Sequence, residues 1–283
     1  MTDLTIRNGG LRLAASVYGP ANAPDVLCLH GITNSRDTWE ETVNRLKDRF
    51  RVWTVDFRGH GHSDRADSYL CGDYLSDARA ALDFIGKPTV VIGHSLGANA
   101  AIMLAQQPYP NVRAVLLEDP ASYLGRAEEY RKTFLAAAFP IVIREQAELL
   151  ERNAPLNDWI ERARNTPDHR GGVAGEHFDE RHLTSFGSAL QRHDPATWPP
   201  VLDLTGFSGL DPDLPLQVPV TVLRADARYG PTFLAEYCER FMASNPHAEI
   251  VEMTGGSHRI HASQATQGRF LDIADAFIQQ YTV

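Results

Sequence analysis

Short apolar runs separated by longer amphipathic stretches set the strongest limit on what this chain can fold into. Residues 25–29, 51–55, 89–92 and 112–118 are compact apolar segments. Runs of this length, without strict polar alternation, read as strands buried on both faces. Between them lie residues 36–47, 73–85 and 96–107, where apolar side chains recur at helical spacing. Such an alternation builds a mostly parallel sheet with helices on both of its faces. Upstream, a short first strand and a second over residues 11–18 flank Asn8-Gly9-Gly10, which reads as a hairpin turn.

The rhythm breaks after residue 120. Residues 128–138, 141–152, 156–164 and 180–190 have helical character, and no convincing strand lies among them. Pro140, Pro155, Pro167, Pro195, Pro199 and Pro200 punctuate the segment. The alternation resumes with a strand at 218–223, a helix at 231–243, a strand at 248–253 and a helix at 265–281. The chain is therefore expected to form one sheet domain from residues 1–120 and 216–283, with residues 121–215 inserted as a helical cap. A length of 283 residues suits one large domain with an insertion better than two domains.

Composition excludes several classes. The net charge of −9 argues against a nucleic-acid binder, which needs clustered Lys and Arg. No stretch approaches the roughly 20 apolar residues of a membrane span. Residues 1–10 carry neither a basic leader nor an apolar core, so no signal peptide is expected. Cys28, Cys71 and Cys238 are odd in number and far apart, and read as reduced thiols of a cytoplasmic protein.

Chemistry concentrates at the ends of the apolar runs. Gly93-His94-Ser95-Leu96-Gly97 follows the run 89–92 directly and opens a helix. A serine on so tight a strand-to-helix turn presents its hydroxyl above the sheet, and the flanking glycines leave room for neighbouring backbone. The helix start beneath it favours developing negative charge. Ser95 is thus the candidate nucleophile, with the Leu96 amide as one oxyanion donor. His30-Gly31-Ile32-Thr33 follows the run 25–29, and the Ile32 amide is the candidate second donor. Gly256-Ser257-His258 lies after the last strand and comes last of these motifs in chain order, and its imidazole is the candidate base, which must reach both the serine proton and the leaving group. His261 is its rival by composition only. His60, His62 and Asp64 on a Gly-rich loop make a weak metal motif, and a structural turn is the better reading.

These four motifs, in this order, resemble the serial signatures of the α/β-hydrolase superfamily: His30-Gly-Ile-Thr, Asp56-Phe-Arg-Gly-His-Gly-His-Ser, Gly93-His-Ser-Leu-Gly and Gly256-Ser-His258. The resemblance covers the chain except the cap. It implies an α/β-hydrolase fold, an eight-stranded, mostly parallel sheet with a lid, and cofactor-free acyl transfer to water. It also implies a third, acidic member of the site. Many members carry that acid after the strand that is here 218–223, but this chain reads Arg224-Ala225-Asp226-Ala227-Arg228, with Arg228 at the expected position and Asp226 too early. The other known location follows the strand before the cap. There Asp119 stands 24 residues beyond Ser95, a spacing that resembles haloalkane dehalogenases, the acetamidomethylene-succinate hydrolase and a fungal zearalenone lactonase. Asp119 is the preferred acid and Asp226 the alternative. Glu118 should point to the opposite face of its strand.

The expectation is a serine hydrolase of a small-molecule carboxylic ester or lactone, with neither cofactor nor metal. Cleavage of an amide in a small carboxylated substrate is one alternative, and a hydrolase-fold small-molecule receptor is another. Lyase or cofactor-free oxygenase chemistry on the same scaffold is a third. Dehalogenase and epoxide hydrolase chemistry is disfavoured, because those relatives carry an aspartate where this chain has Ser95. Arg and His recur between residues 162 and 193, which fits an anionic substrate or a solvated helix surface equally well.

Overall fold

A computed structural model describes residues 1–282. Eight strands, β1 (Thr2–Asn8), β2 (Leu11–Tyr18), β3 (Asp25–Leu29), β4 (Arg51–Val55), β5 (Thr89–His94), β6 (Val112–Glu118), β7 (Val220–Ala225) and β8 (Glu249–Met253), form one sheet. Their spatial order is β1-β2-β4-β3-β5-β6-β7-β8. β2 runs antiparallel to β1 and β4, and every other pairing is parallel. This is the mostly parallel eight-stranded sheet that the motifs implied.

Side-chain alternation along the strands divides the core in two. Leu27, Leu29, Val91, Val115 and Leu117 face α2 (Cys71–Ile85) and α3 (Leu96–Ala105). Val26, Cys28, Val90, Ile92, Ala114 and Leu116 face Trp39, α1 (Glu40–Leu46) and the last helix, α10 (Gln267–Thr282). Both faces are covered, which explains why these strands read as unbroken apolar runs. β5 and β6 are the clearest case, with almost no exposed residue along either.

Between β6 and β7 come α4 (Ala127–Lys132), α5 (Leu135–Glu151), α6 (Leu156–Arg164), α7 (Glu180–Arg192) and α8 (Trp198–Leu202). One sequence expectation fails here. A break was expected at Pro140, yet α5 runs through it. Leu135, Phe139, Gln146 and Leu149 form one buried stripe that spans the proline, packed near Leu124 and Trp198. Burial of that stripe outweighs the single backbone hydrogen bond that the proline removes.

Other boundaries moved as well: the helix expected at 128–138 ends as α4 at Lys132, and the strand expected at 218–223 is β7 at Val220–Ala225. Residues 36–47 split into a 3-10 turn, Arg36–Trp39, and α1. The helix expected at 231–243 begins only as α9 at Ala235. The amides of Thr232 and Phe233 are engaged elsewhere, as described below.

Candidate active site

Ser95 sits at φ 51° and ψ −109°, between β5 and α3. A non-glycine residue in the positive-φ region is strained, at roughly 1–3 kcal/mol, and persists only where its surroundings hold it. The surroundings here are specific. A Cβ on Gly93 would lie 2.5 Å from the Gly97 carbonyl oxygen, and one on Gly97 would lie 2.1 Å from that of Leu29. The Ser95 amide donates to the Glu118 carbonyl at 3.0 Å. Gly31 brings the loop after β3 against the turn: a Cβ there would lie 3.2 Å from that of Ser95. The Ile32 and Leu96 amides, at that loop and at the start of α3, have no acceptor among the described residues.

Asp119 follows β6 in a turn at φ 38° and is fully buried. Its Oδ2 lies 2.6 Å from His258 Nδ1. The same carboxylate accepts from the Thr232 amide at 2.9 Å, the Ala225 amide at 3.2 Å and the Phe233 amide at 3.3 Å. These bonds hold residues 232–233 out of the helix that follows them. Because a carboxylate accepts, His258 donates from Nδ1, and its Nε2 is left as the acceptor. Ser95 and His258 line one cavity of about 150 Å³.

Asp226, the alternative acid, makes no contact with His258. Its carboxylate pairs with Arg228 at 2.7 Å and accepts from the Gly255 amide at 2.9 Å. The Arg228 guanidinium holds that carboxyl well below the usual carboxylate range. Glu118 points to the other face of β6, as the alternation required, and accepts from His261 at its amide (2.9 Å) and at Nδ1 (2.8 Å). His261 stacks on Trp39 with centroids 4.4 Å apart. His261 is therefore a core residue bound to Glu118, while His258, three residues earlier, faces the cavity.

The loop after β4 turns around a buried carboxylate. Asp56 accepts from the Arg36 amide at 2.7 Å and the His62 amide at 2.9 Å, and a Cβ on Gly61 would strike it. His60 is buried and donates to the Arg58 carbonyl, His62 meets Arg192, and Asp64 pairs with Arg12. The three turn to different partners and do not converge.

Sequence reading missed three contributors. His94 is buried, and its Nε2 donates to the His258 carbonyl at 3.0 Å. Burial, reinforced by His258 and His261, holds its pKa well below the ordinary imidazole value, so it stays neutral. Thr232 bridges the Asp119 carboxylate and backbone carbonyl, the latter at 2.6 Å. Arg259 lines the cavity beside His258. Only Arg259 could have been noticed in the sequence, as a cation next to the candidate base.

Together these residues place a strained serine, a carboxylate-held imidazole and two free amides at the carboxyl edge of the sheet. Comparison with known proteins identifies the family. Residues 26–268 match the model of the alpha/beta hydrolase family, and the chain belongs to that family. It is 34% identical over 116 residues to a 2-(acetamidomethylene)succinate hydrolase of Mesorhizobium japonicum, covering 40% of this chain and 41% of that protein. It is 34% identical over 123 residues to the lipase LipV of Mycobacterium tuberculosis, covering 42% and 47% respectively. The matched segment thus spans less than half the length of these curated relatives. Among solved structures, an E-2-(acetamidomethylene)succinate hydrolase superposes with a TM-score of 0.74 at 20% identity, over 98% of this chain and 99% of that one. An esterase from a Rhodococcus species gives 0.74 at 22% identity, over 99% and 100%. At those identities the likeness is one of fold.

Proposed function

We propose that this protein is a cofactor-independent serine hydrolase that cleaves a small-molecule carboxylic ester or lactone through an acyl-enzyme. One observation carries the reading: Ser95, in its strained turn, shares a cavity with His258, whose Nδ1 is 2.6 Å from Asp119. In this reading His258 Nε2 takes the Ser95 proton as Oγ attacks the substrate carbonyl carbon. The Ile32 and Leu96 amides hold the oxyanion. The imidazolium, stabilised by Asp119, then protonates the leaving oxygen, and water clears the acyl group by the same route.

The helices between β6 and β7 act as the cap in this account. Phe134, Leu135 and Phe139 of that insertion line the cavity that Ser95 lines, together with Phe186 of α7. A wall of this kind excludes water and selects substrate by shape. Among the described residues no helix is long and apolar enough to cross a membrane. The free thiols of Cys28, Cys71 and Cys238 fit a reducing compartment, and we place the protein in the cytoplasm on that ground.

The test is a panel of aryl esters, lactones and amides assayed with wild type and Ser95→Ala. Ester or lactone turnover that vanishes in Ser95→Ala supports the reading. Turnover that survives the substitution, or turnover confined to amides, refutes it.

A further inference from the structure

The cavity that holds Ser95 and His258 is apolar along much of its wall, yet three formal charges also line it: Arg162, Asp168 and Arg259. Two of these are answered within the protein. Arg162 pairs with Glu145 at 2.8 Å. Asp168 accepts from Arg170 at 2.7 Å through Nε, at 3.0 Å through a terminal nitrogen and at 2.9 Å through the backbone amide. The Arg259 guanidinium has no carboxylate within 4.0 Å among the described residues. Arg259 is therefore the one charge of the lining without a paired carboxylate among the described residues.

The packing around Arg259 directs what that charge can bind. Its guanidinium carbon lies 4.4 Å from the centroid of the Phe178 ring and 4.3 Å from that of Phe186. Two aromatic rings hold the group in place by cation–π attraction and deny water to much of it. Its one polar side-chain partner is a long contact to His182 Nε2 at 3.4 Å. Burial lowers its pKa to about 10, so it stays charged at neutral pH. A planar fork of donors with its remaining edge free matches a carboxylate in two-point geometry. A desolvated and unpaired charge is unfavourable, and an arriving anion relieves it.

We propose that Arg259 is a specificity residue, and that the substrate of the Ser95 site is a small ester or lactone bearing a carboxylate, which the guanidinium binds while the apolar wall takes the rest. The inference rests on the reading of this cavity as the substrate site. Its volume, about 150 Å³, limits the enclosed part to a body of about benzene's size.

The experiment separates this claim from the hydrolase reading. Benzoate and its uncharged isostere benzamide are titrated calorimetrically into the Ser95→Ala protein, with Arg259 intact and as Arg259→Met and Arg259→Lys. With Arg259 intact, benzoate should bind about 10- to 100-fold more tightly than benzamide, the range of a charge-assisted hydrogen-bonded contact. Arg259→Met should erase that preference, weakening benzoate far more than benzamide, and Arg259→Lys should keep part of it. If the Met variant does not fold, Arg259→Gln serves in its place. Equal binding of the two probes with Arg259 intact overturns the proposal. So does a preference that survives in the Met or Gln variant, since the anion would then lie on the Ile32 and Leu96 amides. Kinetics add the second arm: wild type should favour 4-acetoxybenzoate over its methyl ester in kcat/KM, and Arg259→Met should not. Absence of all ester turnover with the benzoate preference intact would defeat the esterase reading and support Arg259 as an anion site. Ester turnover with no benzoate preference would do the reverse.

Discussion

Glu118 and Asp119 are consecutive in the chain, yet their carboxylates hold two different histidines of one loop. Asp119 takes His258 at 2.6 Å on the cavity side, and Glu118 takes His261 at 2.8 Å on the core side. The end of β6 thus fixes the loop after β8 at two points, and the His94 bond to the His258 carbonyl adds a third.

The two candidate acids, Asp119 and Asp226, should separate by measurement. Asp119→Asn should lower kcat by roughly 10⁴-fold, the magnitude seen when other triads lose the carboxylate that sets the imidazole tautomer. Asp226→Asn should leave kcat within about tenfold, because Asp226 holds Arg228 and the Gly255 amide instead. Steady-state kinetics on an activated ester checks both, and equal losses would show that the imidazole is oriented by something other than Asp119.

Glu118→Ala should act on stability first. It leaves the His261 amide and Nδ1 without their acceptor in a buried site, at a cost of about 2–4 kcal/mol for two such hydrogen bonds. Urea unfolding reads this directly. An unchanged midpoint would mean that the loop after β8 does not depend on the Glu118 clamp.

Much of this was legible in the sequence because it lies where strands end. The apolar runs located the strands, and strand ends located Ser95, His258 and both candidate acids, between which only the resemblance in spacing favoured Asp119. Alternation along β6 separated Glu118 from its neighbour, since Leu116 and Glu118 share one face. The rest depends on tertiary contacts that leave no local mark. The late start of α9 reflects the Thr232 and Phe233 amides bonded to a carboxylate more than a hundred residues earlier. The continuity of α5 through Pro140 reflects a buried stripe whose partners lie elsewhere in the chain. His94 looked like an ordinary residue of the G-x-S-x-G motif, and only the fold puts it under the His258 carbonyl.

Gly97→Ala should abolish the active conformation. A methyl group there would lie 2.1 Å from the Leu29 carbonyl oxygen, which is backbone of a central strand and cannot move aside. The variant should lose activity and unfold at lower temperature. Gly10→Ala meets nothing within 4 Å and serves as the control. Wild-type activity in Gly97→Ala would contradict the tight packing of this turn.

Stability should fall as the medium becomes acidic, before carboxylates titrate. Burial lowers the folded-state pKa of His30 to about 4 and of His60 to about 3, and holds His94, His182 and His193 well below the ordinary value. In the unfolded chain these imidazoles titrate near 6.5. The unfolded state therefore binds more protons below about pH 7, so the stability present above that value is lost progressively as pH falls toward 4. Urea midpoints at pH 8, 6 and 5 should decrease in that order. A flat series would mean that these histidines are solvated in the folded protein.

Ser95 as an activated nucleophile should react with a fluorophosphonate, and peptide mass spectrometry of the treated protein reads that reaction. An ordinary serine is inert to the reagent, whereas one beside a general base reacts. One phosphonyl group per chain should appear, carried on Ser95 and absent from the Ser95→Ala protein. An unmodified chain, or a label on any other residue of folded protein, would contradict that role for Ser95.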